Sequence, residues 1–165
     1  PEWPELVIVS QHLDGTPAAN IRVEKNLTNN ELNTLWAQAG FAVLPSEVEG
    51  YGQVLAEAMA YGCITITTDA PPMNELVGKD RGFLAHVERN LTFRLGTRYL
   101  VSEHALERSI QAAIDQPPAT LAHMSRRAIE WYSTNHEQFL SRLESQLNDL
   151  IAPPLDQSAQ ESPEK

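Results

Sequence analysis

Residues 44–62 read LPSEVEGYGQVLAEAMAYG. Two glutamates, Glu49 and Glu57, flank a Gly50-Tyr51-Gly52 turn. Just before, Phe41–Leu44 is a short apolar run closed by Pro45, which reads as a strand. Just after, Val54, Leu55, Ala58 and Met59 recur at helical spacing, and Gly62 supplies the stop. Glu49 therefore falls in the loop at the carboxyl end of a strand, where open α/β sheets bind ligands. Glu57 falls on the second turn of the helix, on a flank if Val54 and Ala58 face the sheet. The helix start offers the backbone N–H groups of Tyr51, Gly52 and Gln53, together with the positive end of the helix dipole. Both attract anions, phosphate above all. Gly50 and Gly52 let a ligand approach the backbone, and carboxylates accept hydrogen bonds from sugar hydroxyls. A diphosphate carrying a sugar at each end matches that layout. A loop glutamate and a helical glutamate are also common as plain solvated surface, and spacing alone leaves both readings open.

The neighbouring segments fit an alternating pattern. Leu6–Ser10 (LVIVS) and Ile21–Lys25 (IRVEK) read as strands around a turn-rich loop. The segment after them reads as a helix capped by Thr28, with Glu31 at capping-box spacing and an apolar stripe at Leu32, Leu35, Trp36 and Ala39. Ile64–Thr68 (ITITT) reads as a strand, APPMNELVG as a turn and short helix, and GFLAHV (82–87) as the last strand. Strands alternating with helices imply parallel pairing through right-handed crossovers, an α/β class with a Rossmann-like sheet flanked by helices. From Ser102 the pattern becomes helical, over roughly 102–115, 119–133 and 137–151. The stretch from residue 151 on, polar and proline-rich, reads as a disordered tail.

Composition narrows the function classes. A chain of 165 residues with 42% hydrophobic and 21% charged residues is long enough for one cored domain, placed at 1–150. No apolar run reaches membrane-span length, and the first residues lack the pattern of a signal peptide. The net charge of −10 and the lack of a Lys/Arg cluster argue against nucleic acid as a partner. The single cysteine, Cys63, reads as a buried small hydrophobe, which fits a reducing, cytoplasmic compartment. Asn26-Leu-Thr28 and Asn90-Leu-Thr92 match the glycosylation triplet, a pattern frequent by chance. The five histidines lack ligand spacing and no Asp-x-Asp pair occurs, so no metal and no cofactor is expected. Dinucleotide and P-loop fingerprints are missing too. Glu75 reads as a helix cap or a donor contact, and Asp69 as turn chemistry or a site edge.

The ordered set Pro-Ser, Glu-Gly-Tyr-Gly, Glu-Ala-Met, a following glycine and Asn-Glu-Leu resembles the C-terminal half of GT-B-fold glycosyltransferases with the Glu-x(7)-Glu motif, glycosyl transferases group 1. The likeness is densest from Leu44 to Val77 within residues 5–90. It implies a retaining enzyme that uses a nucleotide-diphosphate sugar, with this chain as the donor-binding half. Glu49 would be the catalytic-site glutamate that binds donor-sugar hydroxyls. Gly50, Tyr51, Gly52 and Gln53 would hold the sugar edge and diphosphate, and Glu57 the ribose hydroxyls. Val23, Lys25 and Leu27 would flank the base. Pro71-Pro72 departs from the flexible glycine turn usual after the fourth strand. The family domain also opens with a strand and helix, bearing an Arg and a Lys for the diphosphate, that come before the first residue here. That strand would be central, so its lack should leave two sheet edges open. An acceptor domain would have to join in cis or in trans. The reading from another class is a non-catalytic nucleotide-sugar or partner-binding module built on the same fold.

Overall fold

The computed structural model describes residues 4–13 and 18–151. The tail expected from residue 151 on lies almost wholly outside them. Ile151 itself closes the last helix.

Three sheets form. Strands β1 (Leu6–Val9) and β2 (Ile21–Glu24) pair in parallel, Leu6 opposite Ile21 through Val9 opposite Glu24. Strands β3 (Phe41–Leu44), β4 (Ile64–Thr68) and β5 (Gly82–Ala85) make a second parallel sheet in the order β3-β4-β5. Strands β6 (Val87–Phe93) and β7 (Gly96–Val101) form an antiparallel hairpin apart from both. Helix α1 (Asn29–Gln38) links β2 to β3, α2 (Gln53–Ala60) links β3 to β4, and α3 (Met73–Leu76) links β4 to β5. Helices α4 (Glu103–Ile114) and α5 (Pro118–Ile151) follow the hairpin. The α/β class, the parallel pairing and the helical C-terminal segment are as read from the sequence.

Local chemistry explains the element boundaries. At α1 the capping box is complete. Thr28 Oγ1 accepts from the Glu31 N–H, and the Glu31 carboxylate accepts from the Thr28 N–H at 2.8 Å. Ser102 caps α4 in the simpler way, its hydroxyl accepting from the Ala105 N–H. The peptide bond between Pro71 and Pro72 is cis, ahead of α3.

The core centres on β4, whose five residues are all buried. It lies between β3 and β5 and is contacted by α2, α3, α4 and α5. Leu55, Met59, Ala70, Met73, Leu76, Val77 and Ala128 form the largest buried cluster, with Leu44, Leu84, Tyr99 and Trp131 against it. Thr67 sits there because its hydroxyl donates to the Leu44 carbonyl at 2.7 Å, which offsets the cost of burying it. Cys63 is fully buried, its thiol directed at the carbonyls of Trp36 and Ala39. Burial pushes that thiol up to about 11, as befits a packed side chain rather than a nucleophile.

Three expectations need correction. GFLAHV is not the last strand: β5 ends at Ala85, and the hairpin, unassigned in the sequence reading, follows. Its signal is a pair of runs holding β-branched and aromatic residues, Leu91-Thr92-Phe93 and Tyr99-Leu100-Val101, on either side of a turn in which Arg94 has a φ of 52°. The two helices expected at 119–133 and 137–151 are one helix of 34 residues, about 51 Å long at 1.5 Å per residue. Side chains such as Ser133, Thr134 and Asn135 can compete for local backbone bonds and break a helix. In the structure the Asn135 amide donates instead to the Tyr51 hydroxyl at 2.9 Å, and Tyr132 stacks on His136 one turn later. Finally, Val54 does not face the sheet. It is 46% exposed, and α2 buries Leu55, Ala56, Ala58 and Met59.

Candidate functional site

Loop 45–52 joins β3 to α2 and holds most of the expected site. Pro45 ends the strand, and the Ser46 N–H turns back to the Leu44 carbonyl at 2.8 Å. The Ser46 hydroxyl donates to Glu49 Oε1 at 2.7 Å, so Glu49 is held by its own loop in a half-buried position. Gly52 is the N-cap of α2 at a φ of 92°. A Cβ there would lie 2.8 Å from Leu76 Cδ1 and 2.9 Å from Leu55 Cδ1. Backbone conformation and packing both demand glycine at this point. A Cβ on Gly50, by contrast, would meet nothing within 4 Å, so the loop is open on that side.

Helix α2 starts at Gln53, and its first internal bond runs from the Ala56 N–H to the Gly52 carbonyl at 3.1 Å. The amides of Gln53, Val54 and Leu55 thus precede the helical hydrogen-bond ladder. One turn in, Gln53 Nε2 donates to Glu57 Oε1 at 2.9 Å, which orients the half-buried Glu57 carboxylate beside the helix start. Glu49 and Glu57 are each engaged by a different local partner, Ser46 and Gln53. Tyr51 exposes its ring, while its hydroxyl accepts from Asn135.

The residues expected around a base lie at the end of β2 and in the turn after it. Val23 and Leu27 are half-buried and Lys25 is exposed, at and just beyond the end of β2. A groove of about 370 Å³ lined by Arg22, Glu24, Leu27, Glu31 and Leu35, among others, takes in only Leu27 of these three. A second groove, about 420 Å³, is lined by Ser46, Glu47, Val48, Phe93 and Arg98. It adjoins the Glu49 loop without including either motif glutamate. Of the two residues weighed at the edge, Asp69 accepts from the Asn74 side chain at 3.0 Å, a turn role, and Glu75 lies exposed in the first turn of α3.

The sequence reading missed what braces the loop. The Glu47 carbonyl accepts from the Tyr99 N–H at 2.9 Å, and the Glu47 carboxylate pairs with the Arg98 guanidinium. Both partners come from the unassigned hairpin, and the β-rich run Tyr99-Leu100-Val101 is the signal that could have pointed to them. Among the described residues no group of three or more His, Cys, Asp or Glu side chains could hold a metal ion, and no helix is long and apolar enough to cross a membrane.

A family model described as glycosyl transferases group 1 matches residues 16–131. Among solved structures, the pneumococcal O-GlcNAc transferase GtfA in complex with UDP and GlcNAc is similar at a TM-score of 0.60 and 16% identity. That likeness covers 81% of this chain and 25% of the GtfA chain. The GtfA/B complex is similar at a TM-score of 0.57 and 20% identity, over 80% of this chain and 25% of that one. At such identities the likeness shows the fold, that of a GT-B glycosyltransferase. The chain spans about a quarter of the length of these structures. No curated protein matches it.

Proposed function

The chain belongs to the glycosyl transferases group 1, and from that premise we propose that it supplies the donor-binding half of a retaining, Glu-x(7)-Glu glycosyltransferase. The observation that carries this reading is the loop-to-helix junction. An obligatory glycine at 52 opens α2 with unbonded amides, Glu49 stands on the loop before them, and Glu57 stands one turn after them. The donor is a nucleoside-diphosphate sugar, a reading supported by the UDP held by the similar GtfA structure.

Transfer breaks the anomeric bond to phosphate through an oxocarbenium-like state, and charge grows on the departing diphosphate. Amides fixed before that charge develops stabilise it without reorganising. Gly50, Tyr51, Gly52 and Gln53 hold the sugar edge and diphosphate, Glu49 fixes donor hydroxyls at the reacting sugar, and Glu57 binds the ribose. Val23, Lys25 and Leu27 flank the base. We assign residues 1–150 to this domain, in a cytoplasmic setting consistent with the buried free thiol of Cys63. The acceptor is positioned by a second domain, in cis or in trans.

Calorimetry with UDP-GlcNAc and other nucleotide sugars tests the reading. Saturable binding is expected, weakened by about 1–3 kcal/mol in Glu57→Ala as a charged hydrogen-bond acceptor is lost. A folded sample that gives no saturable heat with any of them overturns it. Binding without transfer by the protein joined to its acceptor domain favours a non-catalytic module instead.

A further inference from the structure

We propose that the β6–β7 hairpin is a buttress for the Glu49 loop, with Arg98 as a positioning residue for the donor site, a role that rests on the donor-site reading above.

Loop 45–52 has one internal side-chain tie, Ser46 to Glu49. Its other anchors come from far along the chain. Tyr99 and Arg98, consecutive on β7, both reach Glu47, one through the backbone and one through the side chain. Strand alternation makes this possible. Tyr99 packs its ring against the main core cluster, while its neighbour Arg98 turns outward to the Glu47 carboxylate. The base of the hairpin is thus fixed in the core, Val87 included, whereas its turn at Leu95 stands fully in solvent. From the other side α5 holds Tyr51 through Asn135. Glu49 sits between the two clamped positions, 47 and 51.

Stability does not explain the Arg98–Glu47 pair. Both side chains are more than two-fifths exposed, and ion pairs in such settings add little to folding. What the pair does add, together with the Tyr99 amide, is a defined place for the backbone two residues ahead of Glu49. A donor that must meet Glu49 and the α2 amides at once gains from a loop already in position.

Arg98→Ala, Arg98→Lys and the charge swap Glu47→Arg with Arg98→Glu test this. Amide hydrogen exchange reads the loop without any donor, and calorimetry reads affinity for the nucleotide sugar that binds the parent protein. Arg98→Ala should speed exchange at 46–51 and weaken donor binding by about two- to fivefold, the range that a half-exposed pair can supply. The melting temperature and the β4 amides should stay as they are. Lysine should restore part of both effects, and the swap should restore more than either of its single changes. Unchanged exchange at 46–51 in Arg98→Ala overturns the buttress. Faster exchange with unchanged affinity overturns the positioning role. Faster exchange in a protein that binds no nucleotide sugar supports the buttress and overturns the donor reading instead.

Discussion

The first parallel sheet and the second are built from similar words and have different fates. LVIV in β1 and ITITT in β4 are both short β-branched runs, each paired in parallel. All five residues of β4 are buried, yet no described residue before position 41 is. Leu6 and Val9 in β1 are exposed, and the stripe of α1 at Leu32, Leu35, Trp36 and Ala39 is only half-covered. The difference is one of neighbours. β4 has a strand on each side and four helices in contact, whereas β1 and β2 have each other. An apolar run records the need for cover and does not provide it.

The largest effect expected from this contrast is kinetic. Amides of β4 should exchange with solvent only through global unfolding. Those of β1 and β2 should exchange through local opening, several orders of magnitude faster. Comparable protection in both sheets would break the contrast outright. Mutation should sharpen it next. Met59→Ala removes a fully buried side chain from the main core and should cost about 2–5 kcal/mol in urea unfolding. Leu35→Ala, on the half-covered stripe of α1, should cost clearly less. A third comparison uses two glycines. A Cβ on Gly82 would lie 2.4 Å from the Thr65 carbonyl oxygen, so β4 and β5 approach too closely for any side chain there. Gly82→Ala should therefore lower stability by about 1–3 kcal/mol. Gly40, with nothing within 4 Å of the same position, should accept alanine within about 0.5 kcal/mol.

Much of the second sheet was legible because each strand is bounded by Pro, Gly or a charged turn, and its helices repeat at 3.6 residues. The ranges of β3 and β4 match the sequence reading, and Thr28 caps α1 by the expected box. The local frame of the candidate site could be read as well, because Gly50 to Gln53 and the two glutamates all lie in one continuous segment. The long-range parts could not. Asn135 looks like a helix breaker until Tyr51 is there to bind it. Arg98 and Tyr99 acquire a purpose only when β7 is laid beside Glu47. Val54 has the right spacing for the core, but α2 turns Ala56 inward with Leu55, Ala58 and Met59 and leaves Val54 exposed.

The smallest effect separates cap chemistry from tertiary cover. In the half-covered first layer, α1 leans on its own N-terminus, so Thr28→Ala should cost about 1 kcal/mol even though the site is exposed. The reciprocal arm of that box is titratable. Hydrogen bonds from the Thr28 hydroxyl, and then from its backbone N–H, hold Glu31 below its usual value of 4.5. A carboxylate whose folded value is lowered contributes stability that is full above the unfolded value. That contribution is lost as pH falls through the folded one. Thermal melts of the parent and Glu31→Gln should therefore differ at pH 7 and converge as the pH drops below about 4, where the protonated acid resembles the amide. If the gap persists into acid, the charge on Glu31 is not what the cap uses, and α1 must draw its stability from contacts that the half-covered stripe does not display.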